Sequence, residues 1–145
     1  MPPRISRKQL GSLLPGFELP KQPRGHLGHD RASDAILLKQ MCLANRLPEP
    51  QKEVKFDETR NWRIDWLFDG RVALEIEGSP WAGKPCPTCG MRPGGRHNRG
   101  QGFLDDMEKY NAIATAGLIL LRTTWDQINK GTIFPVIAKA LEVKK

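Results

Sequence analysis

The chain has 145 residues, a formal net charge of +7 and three cysteines, with an isoelectric point near 9.6. That length suits one domain of ordinary size with a real core, and the positive balance favours an anionic partner, nucleic acid before an acidic membrane. No apolar run reaches the roughly 18 residues of a membrane span, and no apolar stretch follows the basic N-terminal residues. The expectation is therefore a soluble, intracellular protein.

Residues 1–32 contain Pro2, Pro3, Pro15, Pro20 and Pro23 among Arg4, Arg7, Lys8, Lys21, Arg24 and Arg31. They read as a basic, irregular arm able to touch a nucleic-acid backbone, or as a plain disordered terminus. A single domain is expected over residues 33–145. Ser33 is placed as the cap of a helix from about Asp34 to Arg46, with Ile36, Leu37, Met41, Ala44 and Leu47 inward. Pro48-Glu49-Pro50 ends it. Lys52 to Phe56 reads as a first strand.

The next stretch, Asn61 to Gly78, carries the most chemistry. Ile64, Trp66, Leu74 and Ile76 alternate with Arg63, Asp65, Glu75 and Glu77, which is the pattern of paired strands. Asp69-Gly70 marks the turn. A three-residue loop, Asp69-Gly70-Arg71 with Gly70 left-handed, sets Asp65 opposite Glu75, whereas a two-residue loop puts them on opposite faces. In the first register Asp65, Glu75 and Glu77 share a face, with Glu75 and Glu77 roughly 7 Å apart at Cα. Carboxylates packed that closely repel unless a cation sits among them. Oxygen-only donors point to magnesium or manganese. An ordinary solvated strand face would also alternate.

Residues 79–102 form a Gly/Pro-rich basic insertion. Cys86-Pro87-Thr88-Cys89-Gly90 has the form of a zinc knuckle and would supply two thiolates of four ligands, the others to come from His97, Cys42, His26 or His29. Free thiols in a loop are the alternative. The pair beside His97-Asn98 also invites a ββα-metal nuclease reading, but no histidine follows position 97. Phe103 to Ala116 is expected to be a helix with Phe103, Met107, Tyr110, Ile113 and Ala114 inward, closed by Gly117. Leu118-Ile119-Leu120-Leu121 reads as a strand buried on both faces and central in the sheet. Thr132 opens a last helix with Pro135 in its first turn. The order implies an α/β fold, a three-layer α/β sandwich around a mixed central sheet, with the insertion stapled by zinc if the knuckle fills.

In this order the motifs resemble the PD-(D/E)XK, restriction-endonuclease-like nucleases. Asp65 stands at the motif's aspartate and Glu75 at its acidic position, nine residues intervening. Thr59 to Asp65, Leu74 to Gly78, Gly95-Arg96-His97, Gly102-Phe103 and Glu108-Lys109-Tyr110-Asn111 are similar to signatures of the small phage and bacterial branch. The very-short-patch repair endonucleases look more distant. The resemblance covers roughly residues 33–134 and implies a Mg²⁺- or Mn²⁺-dependent endonuclease hydrolysing DNA phosphodiesters, in the cytoplasm of a bacterial or phage-infected cell. It would be structure- or lesion-specific, with the subunit count open and a homodimer among the options.

The implied catalytic set is Asp65, Glu75, Glu77, Lys109 and His97. Asp65, Glu75 and the Ile76 carbonyl would hold magnesium. Arg63, Arg92, Arg96 and Arg99 would contact DNA, a role equally open to His97. One departure stands out: Glu77 occupies the place of the usual Glu-x-Lys lysine. Lys109 is the candidate for that role, against a surface pair with Asp105. The first helix has Gln40 and no glutamate, which leaves Glu53 as the nearest acidic substitute. The alternative reading is an inactive, zinc-stapled nucleic-acid-binding module on the same fold.

Overall fold

A computed structural model describes residues 5–13, 31–78, 87–90 and 100–143. Their elements are α1 (Arg7–Leu13), α2 (Arg31–Ala44), β1 (Gln51–Lys55), β2 (Arg63–Phe68), β3 (Val72–Glu77), α3 (Gly100–Thr115), β4 (Ile119–Thr124), α4 (Trp125–Asn129) and α5 (Phe134–Glu142). The strands form one mixed sheet in the order β1-β2-β3-β4, antiparallel except for the parallel β3–β4 pair.

The hairpin has the three-residue loop. Phe68 pairs with Val72, Leu67 with Ala73 and Trp66 with Leu74, so the next step along both strands sets Asp65 opposite Glu75. Arg71 N–H donates to the Phe68 carbonyl at 2.9 Å. Gly70 is left-handed (φ 63°), and so is Asp69 (φ 47°), a conformation that aspartate tolerates better than most side chains. Arg71 also donates to the carbonyls of Leu141 (3.0 Å) and Val143 (2.5 Å), tying the loop to the end of α5.

Alternation then divides the sheet. Trp66, Phe68, Val72 and Leu74 join Leu10, Leu37, Leu38, Met41, Cys42, Ile128, Phe134 and Ile137 in the larger core, which packs α1, α2, α4 and α5 together. Leu67 and Ala73 form a smaller core with Ile64 and Ile113, and Tyr110, Leu118 and Leu120 pack against it. That second core seats α3 on the opposite face, so helices cover both faces of the sheet.

Several expectations need correction. β4 is an edge strand: the α3 crossover delivers it beside β3, and no described strand lies on its outer side. Both its faces are covered, yet Ile119, Leu120 and Leu121 are only half-buried, while Val72, Ala73, Leu74 and Glu75 of β3 are all buried. Ser33 lies inside α2 rather than capping it, and Ile36 is 49% exposed because Leu38 and Cys42 take the inward positions. Phe103, Met107 and Ala114 of α3 are exposed. Only the turn around Ile113 lies over apolar sheet residues.

The segment read as an irregular arm is ordered over residues 5–13. Gln9 Oε1 accepts from Ser6 N–H at 2.9 Å to start α1, whose Leu10 is buried. Buried Asn45 accepts from Ile5 N–H at 2.9 Å and donates to the Met41 carbonyl at 2.7 Å. Gly131, with φ 74°, is approached so closely that a Cβ there would sit 2.6 Å from the Ile5 carbonyl oxygen. The short helix α4 was not foreseen. Thr124 and Gln127 form its capping box. α5 begins at Phe134, two residues after Thr132, with Pro135 in its first turn.

Candidate active site

At the open end of the β2–β3 pair, side chains replace the backbone ladder. Ile76 N–H donates to Asp65 Oδ2 at 2.8 Å, and Asp65 N–H donates to Glu75 Oε1 at 3.3 Å. The two carboxylates therefore sit side by side between the strands. Burial pushes the Glu75 carboxyl up to about 7, with the charge of Asp65 adding to the effect and Lys109 opposing it. Asp65 is raised too, chiefly by burial; the bond from Ile76 and the Lys109 charge act against that, while Glu53 and Glu77 add to it.

Lys109 comes down from α3 and donates to Glu75 Oε2 at 2.6 Å, their side chains 16% and 9% exposed. The surface pair with Asp105 does not form; Asp105 accepts from Gln101 at 2.8 Å instead. Tyr110, the next residue, donates its hydroxyl to Glu77 Oε1. Arg122 Nε on β4 donates to that same oxygen at 2.8 Å, and its guanidinium lies 4.5 Å from the Tyr110 ring centroid. Burial and the hydrogen bond to Glu77 raise the Tyr110 phenol well above its ordinary value, and the Glu77 bond raises Arg122. Glu77 thus shares the cleft with Asp65 and Glu75 but is turned toward a tyrosine and an arginine.

Asp65, Glu75, Glu77, Lys109 and Tyr110 line a cleft of about 760 Å³ whose wall also includes Arg60, Asn61, Trp62, Arg63, Ile76, Asp105 and Asp106. Arg60 lies 4.4 Å from the Trp62 ring centroid and pairs with Glu108 at 2.6 Å. Phe56 lies nearly parallel to Trp62. Arg63 is exposed and donates to the Glu53 carbonyl at 3.2 Å. Glu53 itself is left-handed (φ 54°) and exposed. Asp65, Glu75, Glu77, Ile76, Lys109 and Arg63 are therefore brought together.

His97, Cys86, Arg92, Arg96, Arg99, His26 and His29 lie outside the described residues. Cys89 is exposed in the turn formed by residues 87–89, before left-handed Gly90. Cys42 is fully buried in the larger core, and burial pushes its thiol up to about 12. Among the described residues no three His, Cys, Asp or Glu side chains converge as a metal site, and no helix is long and apolar enough to cross a membrane.

The sequence reading missed Arg122 and treated Tyr110 as a core residue. Arg122 was detectable as a charge interrupting the apolar β4 run, and the parallel register sets it beside Glu75. The comparisons leave the reading to the geometry: no family model, no curated protein and no solved structure matches this chain.

Proposed function

We propose that the chain is a divalent-metal-dependent endonuclease acting on DNA phosphodiesters, on a restriction-endonuclease-like version of its α/β fold. The observation that carries this reading is the Lys109–Glu75 contact beside Asp65, at the floor of an open cleft. It joins two carboxylates and one lysine, the residue types of the motif, although the lysine comes from α3 instead of β3.

The donor set suits a hard cation. Asp65 and Glu75 are oxygen donors held close together against their own repulsion, and magnesium characteristically takes one or two carboxylates and keeps several waters. Asp65, Glu75 and the Ile76 carbonyl would hold it. When bound, it would lower the pKa of coordinated water and offset charge on the phosphate. The protein's own groups do the rest. Ile76 N–H fixes the Asp65 carboxylate, and Lys109 brings a positive charge to the point where a phosphate oxygen gains negative charge during displacement. Arg60 and Arg63 at the rim supply cationic contacts for the DNA backbone, and the arginines of the insertion would extend them. Five carboxylates, Asp65, Glu75, Glu77, Asp105 and Asp106, line the cleft, and in a chain of net charge +7 they make sense for a phosphate ligand only with cations between them.

The deciding assay incubates supercoiled plasmid and branched DNA with the full chain in Mg²⁺, Mn²⁺ or EDTA. Nicked or linear products should form with either metal, fail to form in EDTA, and be lost in Asp65→Asn. DNA binding without cleavage in either metal would reject the enzyme reading and leave an inactive binding module.

A further inference from the structure

The place where Glu-x-Lys would put a cation holds Glu77, and Glu77 is engaged through Oε1. It accepts from the Tyr110 hydroxyl and from Arg122 Nε, and Arg122 also lies over the Tyr110 ring. We propose that Glu77, Tyr110 and Arg122 form a clamp that positions Lys109 against Glu75, so that a strand carboxylate governs the lysine which the strand lacks. This deepens the nuclease reading and rests on it for its catalytic meaning.

The geometry makes the link short. Lys109 and Tyr110 are consecutive in α3, while Glu75 and Glu77 lie two residues apart on one face of β3, roughly 7 Å at Cα. Two adjacent helical residues therefore reach two adjacent positions on that strand face. The two contacts differ in stiffness. Lysine has a flexible four-carbon stem and a rotating ammonium, so its pairing with Glu75 alone leaves the roll of α3 loosely set. Tyrosine has few rotatable bonds and a hydroxyl at a fixed reach from the backbone, so its bond to Glu77 sets the helix against the strand. Arg122 then holds the phenol from a third element: its Nε bonds the carboxylate, and its guanidinium covers the ring, an arrangement attractive in itself.

Charge supports the same assignment. Arg122 Nε lies 2.8 Å from Glu77 Oε1 and offsets that carboxylate's charge locally. Glu77 can then serve as an anchor without competing for Lys109, which pairs with Glu75 instead. Apolar contact of α3 with the sheet centres on Ile113, the turn after Lys109, so the clamp lies on the side of the helix that must be held over the cleft.

The test compares Tyr110→Phe, Lys109→Ala and the double variant in the full chain with Mg²⁺ and plasmid. Tyr110→Phe deletes one hydroxyl and keeps the ring under Arg122. It should lower kcat about tenfold, the kinetic equivalent of one net hydrogen bond, with little change in KM or Tm. In the Lys109→Ala background the same substitution should cost less than twofold, because the residue it positions is gone. Additive losses, or a loss that follows Tm, would overturn the clamp. A second measurement needs no turnover: limiting acetylation of the intact chain, read by mass spectrometry as Lys109 labelling relative to exposed Lys130. Tyr110→Phe should raise that ratio several-fold, and an unchanged ratio overturns the proposal. If no plasmid is cut by any variant, the nuclease reading fails, and the labelling ratio alone decides whether the clamp exists.

Discussion

The two faces of the β2–β3 hairpin use alternate residues of the same strands to opposite ends. One face presents Trp66, Phe68, Val72 and Leu74 to the larger core; the other presents Asp65, Glu75 and Glu77 to the cleft under α3. On the first face burial removes apolar surface from water and stabilises the fold. On the second it strips water from carboxylates, pushing Glu75 up to about 7 and leaving the fold to hold a repulsive pair in place. Buried carboxylates on a rigid strand pair are the feature on which the proposed metal site rests.

Substitutions on either face should separate these roles. Glu75→Gln should lower cleavage by about 10³-fold or more, the scale of losing several kcal/mol of transition-state charge stabilisation. Its Tm should stay level or rise, and turnover near wild type would remove the hairpin from the active site. Phe68→Ala, on the other face, should cost about 3–5 kcal/mol in urea unfolding by emptying a fully buried site; a cost below about 1 kcal/mol would show that this face is not the structural one. Lys109→Ala should reduce kcat roughly 10²-fold, as for one lost transition-state donor, and unchanged turnover at saturating Mg²⁺ would return Lys109 to a structural pairing.

The smallest effect is one of pH. The folded Glu75 carboxyl ionises near 7, above its ordinary 4.5, so between those values the folded state binds more protons than the unfolded one. Stability should therefore fall as pH rises through this window, by roughly 1–3 kcal/mol between pH 5 and pH 8 in EDTA. Glu75→Gln should lose most of that difference, and an equal slope in both proteins would reject the assignment to Glu75.

What could be read from the residues followed the range of the forces. The hairpin turn was legible because Asp69-Gly70 acts locally, but two loop lengths with opposite registers stayed open, and the structure has the three-residue one. Lys109 could be nominated, but not placed, since a helix's roll on a sheet is set by packing. The Tyr110 and Arg122 contacts to Glu77 span 33 and 45 residues, beyond any local pattern. β4 was misplaced because an apolar run reports covered faces and says nothing of strand neighbours. α1 and α4 are too short, at seven and five residues, to show a periodic stripe. Their capping pairs, Ser6 with Gln9 and Thr124 with Gln127, were the only available marks. In α3 the helix was legible but its buried side was not, because Phe103 and Met107 continue an apolar spacing yet stand exposed.

The contact of Ile5 with Asn45 and Gly131 bears on how the protein is made. A chain leaves the ribosome from its N-terminal end, yet Ile5 docks against a turn reached only after residue 130. Until then the segment Ile5–Leu13 can meet Asn45 but not its second support, and Leu10 lacks the Ile128 side of its core. Completion of the larger core thus waits until α4 and the Gly131 turn have been made, and a pause in translation before Gly131 would leave α1 still searching for a place to settle.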